Sequence, residues 1–343
     1  MKHLLNTLYI TLPESYLARE GECVLVRQNH ETRLRVPIHN LAAVICFGQV
    51  GCSPPLMGFC AERGVGLTFC SESGRFLCRV QGPVSGNVLL RREQYRRAEN
   101  SGHRLEIARL IVAAKLANSR SVILRAAREI ANPDHVRNLQ AAAAHLLALQ
   151  FPVQKCPDLN GLRGLEGDGA REYFAVLDHM LVANKEAFYF RERSRRPPLD
   201  NLNALLSFVY TLLLSDLVAA LEGVGLDPAV GFLHVERPGR PSLALDLMEE
   251  FRSVLADRLV LSLINRRQVE AGGFTRREGG GVVMDDETRK TVLVAWQKRK
   301  QEEVMHPFLG ESAPLGLFPH LQALLLARFL RRDLDAYPAL IWK

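Results

Sequence analysis

One histidine and two carboxylates within residues 231–252, GFLHVERPGRPSLALDLMEEFR, are candidate ligands for a metal ion. Asp246 and Glu249 lie three residues apart on a predicted helix, so their side chains point to the same side. His234 precedes Asp246 by twelve residues, in a turn-rich stretch. A nitrogen ligand combined with carboxylate oxygens suits Mn²⁺ or Mg²⁺ better than zinc or copper. The segment therefore predicts a divalent-metal site, which still needs a third oxygen ligand from elsewhere.

The same helix also fits a simpler interpretation as a surface helix. Its start is predicted after Pro241, with Ser242 as the N-cap residue. One side carries an apolar stripe of Leu243, Leu247, Phe251 and Val254, and the other carries Asp246, Glu249, Glu250, Ser253 and Asp257. This pattern is typical of amphipathic helices whose polar side faces water. From spacing alone, a solvated acidic face is favoured over a metal site, and His234 alone would more often be a hydrogen-bonded structural residue.

The missing ligand is best sought in residues 161–180, GLRGLEGDGAREYFAVLDHM. Glu166 is surrounded by Gly164, Gly167 and Gly169, which weaken a helix and often mark a close approach by another backbone or a ligand. Spacing does not separate Glu166 from Asp168 as the ligand. The alternative is an exposed glutamate at a loosely formed helix start.

Composition indicates a globular chain that acts in a reducing compartment. The 343 residues carry a net charge of +7 and are 48% hydrophobic, enough for two domains. A mild basic excess is compatible with an anionic partner such as nucleic acid. The seven cysteines include no CxxC pair, which predicts free buried thiols. We expect no signal peptide, because the N-terminal MKHLLNTLYITLPE lacks a clean apolar core and a small-residue cleavage site. The apolar run 204–221 is interrupted by polar residues and fits a buried helix better than a membrane span, so we expect a cytoplasmic protein.

The order of predicted elements indicates an α+β fold with two domains. Short strands are predicted within residues 4–10, 23–28, 32–38, 42–48, 65–70 and 76–81, with a helix at 54–63 that ends at Gly64. We assign residues 1–84 to a small, mainly antiparallel β-domain, 85–100 to a linker and 101–343 to a larger all-α domain. Its helices are predicted near 103–118, 120–131, 133–150, 166–190, 200–223, 242–265, 285–304 and 315–332.

Two clusters of arginine with interleaved aromatic residues are candidate nucleic-acid contacts. The first contains Arg91, Arg92 and Arg96, and the second spans residues 191–196 after Tyr189 and Phe190. Guanidinium groups bind phosphate, and aromatic rings stack on bases. A solvated helix end or loop is at least as good an interpretation of each cluster taken singly.

Several stretches resemble a known family, the CRISPR-associated adaptation integrase, which is the DNA endonuclease of spacer acquisition. The resemblance is carried by LRGLEGDGAREYF together with the segment around His234, and by CSPPLMGFCAERGVGLTFCSESGRF, GNVLLRREQY and GGGVVMDDETRKTVLVAWQKR. It covers nearly the whole chain and is greatest for the form found beside type I-C CRISPR systems. This resemblance reverses the preference for a solvated acidic helix.

The resemblance implies a set of metal ligands, a reaction and partners. Glu166, His234 and Glu249 match the family's Mn²⁺ or Mg²⁺ ligands, although many relatives have aspartate at the last position. Asp246 is then either the direct ligand in place of Glu249 or a hydrogen-bond acceptor behind the ligands. The family inserts double-stranded spacer DNA into a repeat array by attack of a 3′-hydroxyl. It forms a homodimer through its β-domain and binds a small ferredoxin-like partner protein.

Three further arginines lie beside the predicted ligands, namely Arg237, Arg240 and Arg252. They either hold the scissile phosphate or pair with nearby glutamates. Two other functions stay open at this point: a metal-dependent nuclease for branched or single-stranded DNA without a role in integration, and a non-catalytic basic helical scaffold that binds DNA.

Overall fold

The structure is a computed structural model that describes residues 7–29, 31–72, 76–82 and 88–342. The start of the first predicted strand, the predicted turn at Ser73-Gly74 and residues 83–87, which include the start of the predicted linker, lie outside the described residues. The chain has a mixed α+β fold, with an N-terminal β region followed by a mostly helical remainder.

The strands concentrate in the N-terminal region. They are β1 (Thr7–Ile10), β2 (Tyr16–Glu20), β3 (Cys23–Gln28), β4 (Glu31–Pro37), β5 (Ala43–Phe47), β6 (Gly51–Cys52), β7 (Gly66–Cys70), β8 (Phe76–Val80), β9 (Phe274–Arg276), β10 (Val282–Met284), β11 (Glu303–Met305) and β12 (Ser312–Pro314).

The helices account for most of the remaining chain. They are α1 (Pro54–Arg63), α2 (Val88–Glu99), α3 (Ser101–Glu129), α4 (Pro133–Ala148), α5 (Gln150–Lys155), α6 (Leu159–Ala175), α7 (Asn201–Val224), α8 (Ser242–Phe251), α9 (Arg258–Asn265), α10 (Asp286–Gln301) and α11 (Phe318–Leu330). A π-helical turn, Arg252–Asp257, connects α8 to α9.

One compact unit consists of the described part of Met1–Gly86 together with Met284–Glu303 and Pro314–Leu317. Its strands form two sheets, in the orders β1-β5-β7-β8 and β4-β3-β2-β6. Alternating apolar residues of these strands and the inner side of α1 form its core, which includes Leu17, Val24, Val44, Phe59 and Leu67. Helix α1 has the predicted bounds and ends at Gly64, whose φ of 65° is left-handed.

The prediction of a mainly antiparallel β-domain is wrong. The pairs β1–β5, β5–β7 and β2–β6 are parallel, and β2–β3, β3–β4 and β7–β8 are antiparallel. The reason lies in the connection from β5 to β7, which runs through α1 and returns the chain in the same direction. Strands β2 and β6 were not predicted, since YLARE and GC carry little strand signal.

The second compact unit consists of the described part of Asn87–Val283 together with Val304–Ala313 and Phe318–Lys343. Helix α3 is its central element and packs against α2, α4, α5, α6 and α8, while α7 packs against α8 and α11. Helix α7 is long and apolar enough to cross a membrane by length and composition, with a mean hydropathy of 2.0. It is largely buried among these neighbours, which is also usual for a core helix.

Several predicted boundaries differ from the structure. Residues 88–99 of the predicted linker form α2, because Leu90, Gln94, Arg97 and Ala98 make a buried stripe at helical spacing. Residues 101–129 form one helix where two were predicted. Residues 286–301, assigned to the all-α domain, group with the first compact unit. All seven cysteines are free, as predicted, although Cys78 is exposed.

Candidate active site

His234 lies in an irregular loop between α7 and α8 that side chains from three helices hold in place. Gln94 of α2 donates two hydrogen bonds of 2.8 Å to loop carbonyls. Arg104 of α3 donates to the carbonyl of Phe232 at 2.8 Å, and Arg163 of α6 donates to that of Leu233 at 2.7 and 2.9 Å. Carbonyl groups without a regular helix or strand need such partners when they are buried. The position of His234 is therefore set by helices that are distant in sequence.

Asp246 of α8 completes the support of this loop and orients the histidine ring. Its Oδ2 accepts from the N–H groups of Phe232 at 2.5 Å and Leu233 at 3.0 Å. Its Oδ1 accepts from the N–H of His234 at 2.9 Å and lies 2.7 Å from Nδ1 of that residue. A carboxylate only accepts, so Nδ1 carries a proton and the lone pair of Nε2 is free for a ligand. Asp246 is completely buried and engaged at both oxygens, which places it behind the site.

The close approach of the loop to α8 depends on Gly231. A Cβ atom at this position would lie 2.7 Å from Oδ2 of Asp246 and 2.8 Å from the backbone carbon of Ser242. Ser242 is the first residue of α8 and not its predicted N-cap; Pro241 occupies the cap position, without a side-chain hydrogen bond. The Ser242 hydroxyl instead donates to the carbonyl of Val235 at 3.2 Å, because the loop covers the start of the helix.

Glu249 is buried between cationic groups and points towards His234. Its Oε1 lies 3.1 Å from Nη2 of Arg252 and 3.9 Å from Nε2 of His234. Its Oε2 lies 2.8 Å from Nζ of Lys115, yet within the described chain it has no hydrogen bond of acceptable angle. Although burial by itself would raise the pKa of Glu249, Arg252 and Lys115 lower it to about 2. Glu249 is therefore ionised, and its Oε2, which lacks a well-directed hydrogen bond among the described residues, is able to bind a cation.

Glu166 faces the same space from helix α6. Its side chain is 25% exposed and forms an ion pair with Lys115, which thereby bridges Glu166 and Glu249. Helix α6 can approach α3 because of Gly169: a Cβ atom there would lie 2.2 Å from Cδ2 of Leu116. Of the three glycines around Glu166, this one matches the close approach that the sequence suggested. Gly164 and Gly167 face open space.

The three residues matched to the family's metal ligands thus converge, but they do not enclose a preformed cage. Across the described ranges, no group of three His, Cys, Asp or Glu side chains is close enough to hold a metal ion as it stands. Asp168, the alternative to Glu166, points elsewhere and pairs with His145 at 2.9 Å and with Arg171.

The interpretation of α8 as a helix with a solvated acidic face is wrong. Asp246, Glu249, Glu250 and Asp257 are all at most 3% exposed. Arg252, three residues after Glu249, is a local partner, but the others come from parts of the chain that helical spacing does not reveal. Asp257, for example, accepts a hydrogen bond of 2.6 Å from the hydroxyl of Tyr210 on α7.

Glu250 faces away from the site and holds the C-terminal segment. Its Oε2 accepts from the N–H of Leu340 at 2.7 Å and from Gln322 at 2.9 Å, and its Oε1 accepts from Tyr337 at 2.8 Å. The buried amide of Asn118 adds hydrogen bonds to the carbonyls of Glu250 and Leu340 at 2.7 and 2.8 Å. Burial raises the pKa of Glu250 to about 7, against the lowering effect of these donors.

The arginines proposed as DNA contacts fall into three groups. Arg91, Arg92 and Arg96 lie on α2, where Arg96 pairs with Glu93. Arg252 is mostly buried, pairs with Glu249 and lies 5.0 Å above the ring of Tyr210. The remaining two, Arg237 and Arg240, lie at the surface beside His234.

The surface beside His234 is strongly basic. Burial and the guanidinium groups of Arg237, Arg163 and Arg195 lower the pKa of Arg240, in the direction expected where cations crowd together. An open cavity of about 480 Å³ adjoins this surface, lined by Arg104, Asp158, Leu159, Asn160, Arg163, Val235 and Glu236. An anionic ligand would relieve the repulsion between these arginines.

Sequence reasoning missed four residues that build the site: Gln94, Arg104, Lys115 and Arg163. Lys115 carried a usable signal, because it is the one charged residue in the run LIVAAKLAN of residues 110–118. A lone charge inside an apolar stripe needs a buried partner. The two arginines and the glutamine had no such signal.

The chain as a whole is similar to known proteins over most of its length. Residues 8–298 match the family described as CRISPR associated protein Cas1. The chain is 52% identical over 343 residues to CRISPR-associated endonuclease Cas1 1 of Chlorobaculum tepidum, covering 100% of both chains. Among solved structures it resembles a Cas1 protein from Thermotoga maritima, with a TM-score of 0.81, 22% identity and coverage of 95% of this chain and 97% of that one.

Chains of the same fold have also been solved in larger assemblies. A casposase bound to integration product gives a TM-score of 0.82 at 22% identity, over 98% of this chain and 94% of that one. A Cas6-RT-Cas1–Cas2 complex gives 0.84 at 23% identity, over 99% of this chain and 36% of that one. A TtCas1–DNA complex gives 0.59 at 16% identity, over 94% and 92%. At these identities the likeness concerns the fold.

Proposed function

Since the chain belongs to the Cas1 family of CRISPR-associated proteins, we propose that it is a divalent-metal-dependent DNA endonuclease and integrase. It inserts new spacer DNA into a CRISPR repeat array by transesterification, in which a 3′-hydroxyl attacks a phosphodiester bond. The observation that supports this most is the convergence of Glu166, His234 and Glu249 from α6, the loop before α8 and α8 itself.

The donor set fits Mn²⁺ or Mg²⁺. Two carboxylates supply hard oxygen ligands, and His234 presents Nε2 because Asp246 holds its Nδ1. The buried Oε2 of Glu249 lacks a well-directed hydrogen bond within the described residues, and its only close partner there is the ammonium group of Lys115. A cation already lies where the ligands converge. We therefore assign Glu166, His234 and Glu249 as the residues that would hold the metal, with Asp246 as the acceptor that orients His234.

A bound divalent ion would polarise the phosphoryl oxygen and make the attacking hydroxyl more acidic. The protein's own residues then position the DNA. Arg240, Arg237 and Arg195 form the basic surface beside His234, where they can bind the phosphates that flank the scissile bond. Arg163 and Arg104 contribute by fixing the His234 loop. With water in place of the 3′-hydroxyl, the same arrangement would cleave DNA.

The partners follow from the family. We propose that the chain forms a homodimer through its N-terminal β region, binds double-stranded spacer precursor and repeat DNA, and joins a Cas2 protein, the small ferredoxin-like partner. The Cas6-RT-Cas1–Cas2 and TtCas1–DNA structures support the last two points by fold similarity. The type I-C subtype and a cytoplasmic location stay predictions.

Strand transfer on a repeat-bearing DNA, with purified protein, Cas2 and Mn²⁺, tests the proposal. We expect Glu166→Ala to abolish both cleavage and strand transfer while the protein stays folded. Asp168→Asn is the matched control, because Asp168 lies on the same helix but pairs with the surface residues His145 and Arg171. Mn²⁺-dependent activity retained in Glu166→Ala would refute the ligand assignment.

The same assay separates the alternatives. Cleavage of branched or single-stranded DNA without strand-transfer products would indicate a nuclease outside integration. A scaffold without a metal site would show no increase in melting temperature when Mn²⁺ is added, in contrast to the increase expected for a protein that binds the ion only when folded.

A further inference from the structure

Lys115 is buried at the centre of the site, where an ammonium group is costly to place. The residue is 7% exposed and lies in the middle of α3 between apolar neighbours. Its Nζ lies 2.8 Å from Oε2 of Glu249 and forms an ion pair with Oε1 of Glu166. A buried lysine stays charged only where carboxylates compensate for its lost hydration. Lys115 therefore depends on these two glutamates, and they depend on it.

The oxygens that Lys115 occupies are also the oxygens that a metal ion would need. Oε1 of Glu249 lies 3.9 Å from Nε2 of His234 but is shared with Arg252 at 3.1 Å, whereas Oε2 faces Lys115 without a well-directed hydrogen bond within the described residues. Oε1 of Glu166 is likewise engaged by the ammonium group. An ammonium group and a divalent ion cannot both lie between these atoms, because their charges repel strongly at such short range.

We infer that Lys115 is the resident counter-ion of the two ligand carboxylates, and that a metal ion binds by displacing its ammonium group. This inference rests on the proposed metal site. It explains why Glu166, His234 and Glu249 converge although no group of ligands among the described residues is close enough to hold a metal ion. The lysine keeps the two glutamates in place until the metal binds.

The exchange also changes the net charge of the site. With the lysine in place, the site has a net charge of minus one, because it contains three carboxylates (Glu166, Asp246 and Glu249) and two cations (Lys115 and Arg252). Once the ammonium group has left, a divalent ion and Arg252 together carry three positive charges, which equal the three carboxylate charges, so the site no longer repels a phosphodiester. The displaced ammonium group moves towards the Glu166 side, because that carboxylate is 25% exposed whereas Glu249 is 3% exposed.

Calorimetric titration with Mn²⁺ tests the inference on the full chain. Lys115→Met keeps the length of the side chain and removes its charge, so we expect Mn²⁺ to bind on the order of tenfold more tightly than in the wild type. Lys155→Met, at the exposed end of α5, is the control and should leave the Mn²⁺ affinity unchanged. If Lys115 only supported the fold, its loss would scatter the ligands, and Mn²⁺ would bind more weakly.

Equal or weaker binding to a folded Lys115→Met protein would overturn the inference while leaving the metal site intact. Absence of Mn²⁺ binding in the wild type as well would overturn the proposed function together with it. A second measurement needs no variant: amine-selective labelling of the wild type, read by mass spectrometry. Labelling of Lys115 should rise at least threefold when Mn²⁺ is added, while labelling of Lys155 stays constant. An unchanged rate at Lys115 would also overturn the inference.

Discussion

Replacing Asp246 with asparagine should separate the orientation of His234 from the presence of the metal ligands. The carboxylate accepts four hydrogen bonds, two at each oxygen. An asparagine amide has one oxygen, which can keep the two bonds to Phe232 and Leu233. Its NH₂ group then faces the backbone N–H and the Nδ1 of His234. The ring can restore one hydrogen bond only by moving its proton from Nδ1 to Nε2, the atom needed for the metal.

The size of the effect follows from these contacts. Hydrogen bonds to a charged acceptor contribute about 1.5–3 kcal/mol each. One is lost outright, at the backbone N–H of His234, and the others become bonds to a neutral acceptor. We therefore expect Asp246→Asn to lower the free energy of unfolding by about 3 kcal/mol in the absence of metal. Because the tautomer changes as well, the dissociation constant for Mn²⁺ should rise about 10- to 100-fold.

Urea denaturation measures the first quantity, and calorimetric titration with Mn²⁺ measures the second. Asp257→Asn is a suitable control, since it also removes a buried charge from the same stretch of chain but its partner is Tyr210. The control should lose stability and keep its Mn²⁺ affinity. The reasoning would be refuted by an Asp246→Asn protein whose Mn²⁺ dissociation constant stays within threefold of the wild type.

Two further predictions concern the neighbouring elements. Burial raises the pKa of Glu250 to about 7, above its unfolded value of about 4.3. The protonated form therefore stabilises the fold at low pH, and this contribution is lost as the pH rises towards that value. Urea denaturation at each pH should show the stability of the wild type falling by up to about 3 kcal/mol from pH 5 to 8, relative to Glu250→Gln. If both proteins had the same pH dependence, the raised pKa would be wrong. Gly169→Ala should destabilise the protein by at least 1 kcal/mol, because its Cβ would overlap Leu116. Gly164→Ala, in open space on the same helix, should stabilise it by about 0.5–1 kcal/mol. Thermal unfolding of both variants and the wild type measures the two effects.

The parts of the fold that the sequence predicts are those with local causes. Helix α1 has its predicted bounds because a proline, a serine N-cap and a left-handed glycine act within a few residues of it. The strands β3, β5 and β7 were likewise predicted from runs of branched and aromatic residues. Sheet direction was not predicted, since it depends on how distant strands pair.

The candidate site shows the same division. Residue type and spacing selected His234 and Asp246 as candidate ligands. Only the four hydrogen bonds of Asp246, which spacing cannot predict, show that Asp246 supports His234 from behind. The acidic side of α8 was misread because hydropathy records which residues are polar and not what covers them. The residues that bury this acidic side include Lys115 and Tyr337, which lie more than 80 residues away in the chain.

The π-helical turn at Arg252–Asp257 affects how this chain should be aligned with its relatives. A π turn holds one residue more than an α-helical path between the same ends. Deleting one residue within the turn would restore α-helical winding between the same ends, so α8 and α9 could keep their places and only side chains of the turn itself would change direction. Homologues with a one-residue gap in this stretch should therefore keep the orientation of α8 and α9, and an alignment that places the gap outside Arg252–Asp257 would equate residues that lie about 100° apart around the helix.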